Sequence, residues 1–368
     1  MSFSLEDHPH RRYNALSGKW ILCSPHRAKR PWQGQTEAVD TRQDPSFDPK
    51  CFLCPGNTRV TGAVNEPYDS TFVFGNDFPA LLSDTPSGNV SMGNGGLLRA
   101  ESARGECRVM CFSPDHSLSL AQMPEPQVLA VVDRWVSEYR SLSEQWRYVQ
   151  VFENKGAVMG CSNPHPHAQI WATDGIPMEI GDEIASFKAH SAANGGRCLL
   201  CDYLQTELAE GGGARIVTEN AHWVALVPFW AYWPFELLVL PRTHRATVLD
   251  LADEERVTLA AILREVTCRY DNLFCTAFPY SMGLHQLRAD GQDAAVGHHL
   301  HIHFYPPLLR SATVKCAFAL ELILSNAVYR KFQVGYEMMC ELVRDITAEQ
   351  AADRLRQQPT VHFKAATK

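Results

Sequence analysis

The order of chemically distinctive residues is played twice along the chain, and this restricts the possible folds more than any other feature. Cys51 and Cys54 form a CxxC pair, followed by an apolar run over 108–114 with His116 just after it. A helix-period stretch then carries Val128, Val131, Val132, Trp135, Tyr139, Leu142 and Trp146 on one face. A β-prone segment over 148–153, a Gly/Asn/Pro loop and His165-Pro166-His167 complete the first half. The second half repeats the order. Cys198 and Cys201 precede the apolar run 235–240, with Pro241 and His244 next. A helix expected to be capped by Asp250 places Leu251, Leu259, Ile262, Leu263, Val266 and Tyr270 on its apolar face. His285 follows, and then a strand-like stretch with His299, His301 and His303. From CxxC to HxH the spacing is 114 residues in one half (Cys51 to His165) and 103 in the other (Cys198 to His301). Five elements in one order predict a duplicated α+β unit.

A length of 368 residues accommodates such a duplication, at roughly 150 residues per domain. Hydrophobic content of 45% against 20% charged residues fits a chain with a substantial core. A net charge of −7 provides no basic field for nucleic acid or an anionic membrane surface. No apolar run approaches the roughly 18 residues of a membrane helix, and the first residues lack the apolar core of a secretion signal. The expected location is therefore the cytoplasm, where twelve cysteines read as reduced thiols or metal ligands before they read as disulfides. Glycine- and proline-rich stretches at 79–96, 195–196 and 211–213 mark loops. Thr347 and Gln350 have the spacing of a capping box that opens a last helix.

In an extended strand, residues two apart share a face, so His299, His301 and His303 line one side and Leu300, Ile302 and Phe304 the other. A buried sheet presents ligands or a catalytic group in this way; the competing reading is a half-exposed strand with a polar face. At His165 and His167, Pro166 fixes its own φ and biases His165 toward extended backbone. The preceding loop over 154–164 has two glycines and several donors that can close around phosphate oxygens. A neutral histidine nitrogen can attack phosphorus to give a phosphoramidate intermediate, provided donors meet the charge on the non-bridging oxygens. Gln169, two residues beyond His167 on the same strand face, is placed to be one of them.

A CxxC pair supplies half of a tetrahedral zinc site. For Cys51 and Cys54 the remaining ligands could come from His116, His165, Cys107, Cys111 or the pair Cys198 and Cys201, with two histidines preferred. His285, His301 and His303 suit a second metal, zinc or iron, together with a carboxylate that spacing does not select. Whether Cys198 and Cys201 bind anything is left open by their spacing.

Taken together, HPHRRYN at 8–14, SPHRAKRPW at 24–32, CFLCPGN at 51–57, STFVFGNDFPAL at 70–81, VQVFENKGAVMGCSNPHPHAQIWA at 149–172, YDNLF at 270–274, FPYSMG at 278–283, HFYPPLLRSATV at 303–314 and KFQVGYEMM at 331–339 resemble the galactose-1-phosphate uridylyltransferase family of the histidine-triad superfamily. The match runs from about residue 8 to 363. It implies an α+β fold: a duplicated histidine-triad-like unit whose antiparallel sheet forms a half-barrel with helices packed on it. The halves are expected at 1–183 and 184–368, in a homodimer. The implied reaction is ping-pong transfer of UMP from UDP-glucose to galactose 1-phosphate, giving UDP-galactose and glucose 1-phosphate through a uridylyl-His167 intermediate. Gln169 is then the phosphoryl donor. The other substrate contacts map to Arg27, Arg30, Val60, Asn76, Asp77, Asn154, Gly160, Cys161, Ser162, Lys331, Phe332, Tyr336 and Glu337. The resemblance further implies a zinc (Zn2+) site of Cys51, Cys54, His116 and His165, and a second site, Fe2+ or Zn2+, of Glu183, His285, His301 and His303.

Four departures from the family pattern stand out. Ala168 replaces a glycine, Val343 replaces a glutamine that contacts substrate, and SMGWHG becomes SMGLHQ at 281–286. The largest is an apolar, helix-prone insertion over 315–329, between SATV and RKF, where impaired transfer is expected. Two further readings compete within the same residues: a related histidine-triad nucleotide phosphorylase or hydrolase, and a catalytically silent zinc-binding isoform. A zinc-dependent nucleic-acid or protein-binding module is a third, and the net charge and the lack of a basic stripe oppose nucleic acid.

Overall fold

A computed structural model describes residues 2–26, 44–209, 212–288, 298–307 and 343–365. The centre is a nine-stranded sheet built from β3 (Phe72–Gly75), β6 (Gly105–Cys111), β7 (Tyr148–Lys155), β8 (His167–Thr173), β9 (Ile216–Glu219), β10 (Trp223–Leu226), β11 (Leu237–Pro241), β12 (Tyr280–His285) and β13 (His301–Tyr305). Its spatial order is β3-β6-β8-β7-β12-β13-β11-β10-β9, and every neighbouring pair runs antiparallel. Read outward from the β7–β12 pair, the order on one side (β8, β6, β3) mirrors that on the other (β13, β11, β10). The twofold repeat in the sequence thus becomes a two-sided sheet joined where the central strands of the two halves pair. This sheet is open, with β3 and β9 at its edges rather than closed on itself.

Side chains alternate across each strand and so sort the molecule into layers. Ala168, Ile170 and Ala172 of β8 and Ile302 and Phe304 of β13 enter one large apolar core. The same core takes the apolar faces of α1 (Glu125–Ser143) and α4 (Asp253–Phe274), including Val128, Val132 and Trp135 from the first and Leu259, Leu263 and Val266 from the second. The intervening residues of these strands, His167 and Gln169 in one and His301 and His303 in the other, therefore face away from that core. The helices α2 (Met178–Ala193) and α3 (Leu199–Ala209) pack on each other and bring Glu183 and the second CxxC pair to that second face.

Two smaller pieces close the fold. β1 (His10–Asn14), β2 (Lys19–Cys23) and β14 (Val343–Arg344) form a three-stranded sheet, and β4 (Asn89–Met92) and β5 (Leu98–Glu101) form a separate hairpin. The last helix, α5 (Ala348–Arg356), opens with the expected capping box: the Thr347 hydroxyl accepts from the Gln350 N–H and the Gln350 side chain accepts from the Thr347 N–H. Its Glu349 is held by two arginines, Arg12 at 3.0 Å and Arg215 at 2.7 Å. Burial alone would raise the Glu349 carboxyl, but these guanidinium groups bring it down to about 2. Arg12, one residue of the HPHRRYN segment, thus ties the N-terminal hairpin to the C-terminal helix.

Asp250 does not cap α4. Its carboxylate accepts from the Thr247 N–H at 2.8 Å and the Ala246 N–H at 3.0 Å, which closes the turn Val248–Asp250 instead. The helix starts three residues later, and Glu255 accepts from the Ala252 N–H at its entrance. The sequence offers four acidic groups near this start, Asp250, Asp253, Glu254 and Glu255, and the turn before the helix consumes the first.

Candidate active site and metal centres

The segment that leads into β8 is shaped by backbone before side chains enter. β7 ends at Lys155, and Gly156 (φ 89°) and Gly160 (φ 82°) flank a short turn over Ala157–Met159. Both glycines lie in the left-handed region that a side chain disfavours. A Cβ on Gly156 would also stand 3.0 Å from Pro279 Cβ. Cys161 Sγ donates to the Asn163 carbonyl at 2.9 Å, and Asn163 Oδ1 accepts from the His165 N–H at 2.9 Å. The loop is therefore pinned at the residues that precede the two histidines, and Ser162 remains exposed.

His167 is oriented by the chain itself. Its Nδ1 lies 2.7 Å from the His165 carbonyl oxygen. A carbonyl only accepts, so Nδ1 carries the proton and Nε2 presents the lone pair. Burial lowers the affinity of this imidazole for a second proton. Gln169 shares the His167 face, and its Oε1 accepts from the Trp171 indole at 3.0 Å, which leaves the amide nitrogen to donate. In the adjacent strand Phe152 pairs with Gln169, so Asn154, two residues on, comes level with His167 on the same face. Asn154 Oδ1 accepts from the Ser281 hydroxyl at 2.6 Å.

Other expected substrate contacts lie two strands away. The Asn76 N–H donates to the Cys107 carbonyl at 2.9 Å, continuing the β3–β6 ladder, while Asn76 Oδ1 accepts from the Phe78 N–H. Asp77 is held by Arg59 at 3.4 Å and accepts from Thr61 at 3.2 Å. Val60 is 56% exposed beside this pair, the right condition for covering a ligand surface and the wrong one for a core residue. Arg27, Arg30, Lys331, Phe332, Tyr336, Glu337 and the insertion 315–329 lie outside the described residues.

Cys51, Cys54, His116 and His165 are all buried, and their ligand atoms lie within 4.8 Å of one another. Cys54 Sγ is 3.6 Å from His116 Nδ1 and 3.5 Å from His165 Nδ1, and Cys51 Sγ is 3.9 Å from His165 Nδ1. Bond lengths of about 2.3 Å to sulfur and 2.05 Å to nitrogen in a tetrahedron give an S···N edge of about 3.6 Å, so the donor set fits a metal ion. The hydrogen bond behind one of its rings agrees. His165 Nε2 donates to the Ser113 carbonyl at 2.8 Å, which turns the Nδ1 lone pair toward the sulfurs. Burial pushes the His165 imidazole down to about 4 and the Cys54 thiol up to about 11. A neutral imidazole is thereby ready to ligate, whereas the thiolate needs a cation beside it.

Glu183, His285, His301 and His303 form a second buried group. Glu183 Oε1 is 2.8 Å from His285 Nδ1, 3.4 Å from His301 Nε2 and 3.7 Å from His303 Nε2. His301 Nδ1 donates to the His299 carbonyl at 2.7 Å, so the nitrogen that faces the carboxylate is again a lone pair. Glu183 Oε2 and both nitrogens of His303 have no hydrogen-bond partner among the described residues. Acceptors that face acceptors in a dry site are repulsive until a cation lies between them, and a metal would satisfy the Glu183 carboxylate together with the Nε2 atoms of His301 and His303. Sequence reasoning did not flag His298, whose Nε2 stands 3.8 Å from Glu183 Oε2. The run of two histidines at 298–299 was the available signal.

The same distances correct the alignment of the two halves. The histidine of the first half that faces the CxxC pair, His165, corresponds to His299 and not to His301: Cys51 to His165 spans 114 residues and Cys198 to His299 spans 101. His167 then corresponds to His301, and each Nδ1 donates to the carbonyl two residues earlier at 2.7 Å. Sequence spacing matched HxH to HxH and was off by one strand pleat, because three alternate histidines leave the choice of pair open.

The family description "Galactose-1-phosphate uridyl transferase, N-terminal domain" fits residues 1–177, and its C-terminal counterpart fits residues 183–367. A galactose-1-phosphate uridylyltransferase of Haemophilus influenzae is 50% identical over 366 residues, covering 100% of this chain and 99% of its own. One of Rattus norvegicus is 46% identical, covering 98% and 91%. A solved uridylyltransferase structure superimposes with a TM-score of 0.66 at 25% identity, over 94% of this chain and 97% of that one. Among the described residues no helix is long and apolar enough to cross a membrane. On its full-length similarity to these relatives and on both halves of the fold, the chain belongs to the galactose-1-phosphate uridylyltransferase family of nucleotidyltransferases.

Proposed function

We propose that this chain transfers UMP from UDP-glucose to galactose 1-phosphate in two displacements at His167. In the first, Nε2 attacks the α-phosphorus, the N–P bond forms, and the bridging P–O bond breaks with its electron pair going to glucose 1-phosphate. In the second, a phosphate oxygen of galactose 1-phosphate attacks the same phosphorus, the N–P bond breaks, and the neutral imidazole returns. The observation that carries this reading is the Nδ1–H to His165 carbonyl bond of 2.7 Å, which commits Nε2 to the nucleophilic role and compensates the charge that develops on the ring. Gln169 meets the non-bridging oxygens with its amide nitrogen, and the glycine turn at 156–160 lets backbone approach the nucleotide. Asn154, Cys161 and Ser162 line this side; Val60, Asn76 and Asp77 form the base-side wall.

Cys51, Cys54, His116 and His165 hold zinc in this reading, and Glu183, His285, His301 and His303 hold iron or zinc. These ions serve as cross-links and stand outside the displacement steps. The two halves, 1–183 and 184–368, act together in a cytoplasmic homodimer, with Arg27, Arg30, Lys331, Phe332, Tyr336 and Glu337 completing the substrate contacts.

Incubation with UDP-glucose labelled in the uridylyl phosphate tests the reading. The expected result is an acid-labile, base-stable label on the protein, discharged by galactose 1-phosphate into UDP-galactose. A nucleotide phosphorylase would discharge it to inorganic phosphate, a hydrolase to water, and a silent zinc-binding isoform would take up no label.

The insertion 315–329 separates the strand that carries the second metal's ligands from the substrate contacts at 331–337. Its apolar composition gives those contacts an alternative to docking at the site, so the parent chain is expected to turn over slowly. Removing the fifteen residues 315–329 should raise kcat by at least tenfold. Equal and ordinary turnover in both chains refutes the impairment.

A further inference from the structure

The second half contains a full set of donors that the reaction does not use. Cys198 Sγ lies 3.5 Å from His299 Nδ1, and Cys201 Sγ lies 3.5 Å from His299 Nδ1 and 3.7 Å from His244 Nδ1. All four ligand atoms fall within 4.8 Å of one another. These values reproduce the S···N edge of about 3.6 Å expected for tetrahedral zinc. They also reproduce the first group residue by residue: 3.5 Å for Cys54–His165 and 3.6 Å for Cys54–His116. The imidazoles are spaced alike, with ring centroids 5.2 Å apart for His116–His165 and 4.9 Å for His244–His299, although the interplanar angle is 86° in the first pair and 57° in the second.

Topology explains why. His116 follows β6 and His244 follows β11, the two strands that hold equivalent places on either side of the mirrored sheet. His165 enters β8 and His299 enters β13, which flank them. The duplication has therefore carried a whole ligand set across the sheet, one CxxC, one loop histidine and one strand-entry histidine in each half. We propose that Cys198, Cys201, His244 and His299 bind a zinc ion, a third metal centre separate from both groups already described. The choice of zinc follows from two thiolates and two imidazoles in tetrahedral reach, with no fifth donor in the group among the described residues.

The strand that results is anchored twice. His299 belongs to the new centre, and its carbonyl accepts from His301 Nδ1 at 2.7 Å. His301 and His303 in turn face Glu183. A metal on His299 thus fixes the tautomer and position of the next ligand on the strand. One difference from the first centre bears on affinity: His165 Nε2 has the Ser113 carbonyl as partner, whereas His299 Nε2 has none among the described residues. His244 is also exposed, while every ligand of the first group is buried. Outer-shell partners are worth roughly 10–100-fold in metal affinity, so the new centre is the weaker of the two.

Metal content of the purified full-length protein decides the matter. Parent, the double variant Cys198→Ser/Cys201→Ser, and Cys51→Ser are compared by elemental analysis, with thermal unfolding recorded for each. The double variant should carry one zinc fewer per chain than the parent and still unfold cooperatively. In cobalt-substituted protein its thiolate-to-metal absorption should drop to about half, since two of four ligating thiolates remain. Unchanged zinc content and absorption overturn the proposal. If the double variant does not fold, His244→Ala takes its place, because this exposed ring can be removed without a cavity. It should lose one zinc to a chelator at least tenfold faster than the parent, and parent-like retention overturns the proposal equally.

Discussion

Replacing His167 by Ala is expected to lower turnover by roughly 10⁵-fold or more, on the order of 7 kcal/mol in the barrier. The magnitude follows from what remains. Gln169, the glycine turn and the nucleotide contacts still bind and polarise the phosphoryl group, but no atom takes the place of Nε2, and water has no positioned base to activate it. The uridylyl label should disappear along with turnover. Metal content should stay at the parent level, because the His167 side chain belongs to none of the three ligand groups. The measurements are steady-state turnover, acid-labile label and elemental analysis on the same preparation. Retention of label in the Ala variant would move the covalent step to another residue. His167→Gln makes a useful companion: it keeps polar bulk in the half-buried position and should be as inactive as Ala, which separates loss of the nucleophile from loss of packing.

The second large effect is expected at Cys54→Ser. Cys54 is fully buried and lies within 3.6 Å of both histidines of its group, the only thiol among the described residues to do so. A hydroxyl at this position is a poor ligand and leaves two imidazoles and one thiolate around an incomplete site. One zinc per chain should be lost, and the unfolding transition should fall by several kcal/mol, because structural zinc binding contributes directly to folding. Turnover should fall too, by roughly 10–100-fold. The physical link is short: the backbone carbonyl of ligand His165 is the acceptor that orients His167. Cys107→Ser is the matched control, since Cys107 is equally buried but belongs to no ligand group. It should keep its zinc and most of its activity. Zinc content, thermal unfolding and turnover measured in parallel distinguish the two; similar losses in both variants would reduce the effect to a generic cost of a buried hydroxyl.

Much of this site was legible in the residue order, and the reasons differ by residue. His167 and Gln169 were placed on one face by the twofold period of a strand, a purely local property. The CxxC pairs were visible because ligands three apart in one turn need no tertiary contact to converge. Helices α1 and α4 were legible in their apolar periodicity, except at the start of α4, where Asp250 and Glu255 compete for adjacent turns and only packing decides which closes which.

Glu183 shows the opposite case. It is one of three acidic residues on α2, and it joins a ligand group only because α2 packs across the face that carries His301 and His303. The resemblance to a family named it, whereas spacing alone did not. His244 and His299 stood out in the repeated order and on the strand face, but the residue order did not join them to Cys198 and Cys201. They lie 43 and 98 residues from Cys201, and nothing local marks them as partners.

What the sequence by itself determined is therefore the inventory and its local geometry: which donors exist, which share a strand face, and that one unit is used twice. The tertiary structure decided which donors meet. Assigning His165 with Cys51 and Cys54, His299 with Cys198 and Cys201, and His301 and His303 with Glu183 depends on the antiparallel register of β6, β8, β11 and β13 in a sheet whose order is mirrored about its centre. Register is a long-range property, set by which strands pair, and a shift of one pleat moves a histidine from one ligand group to another.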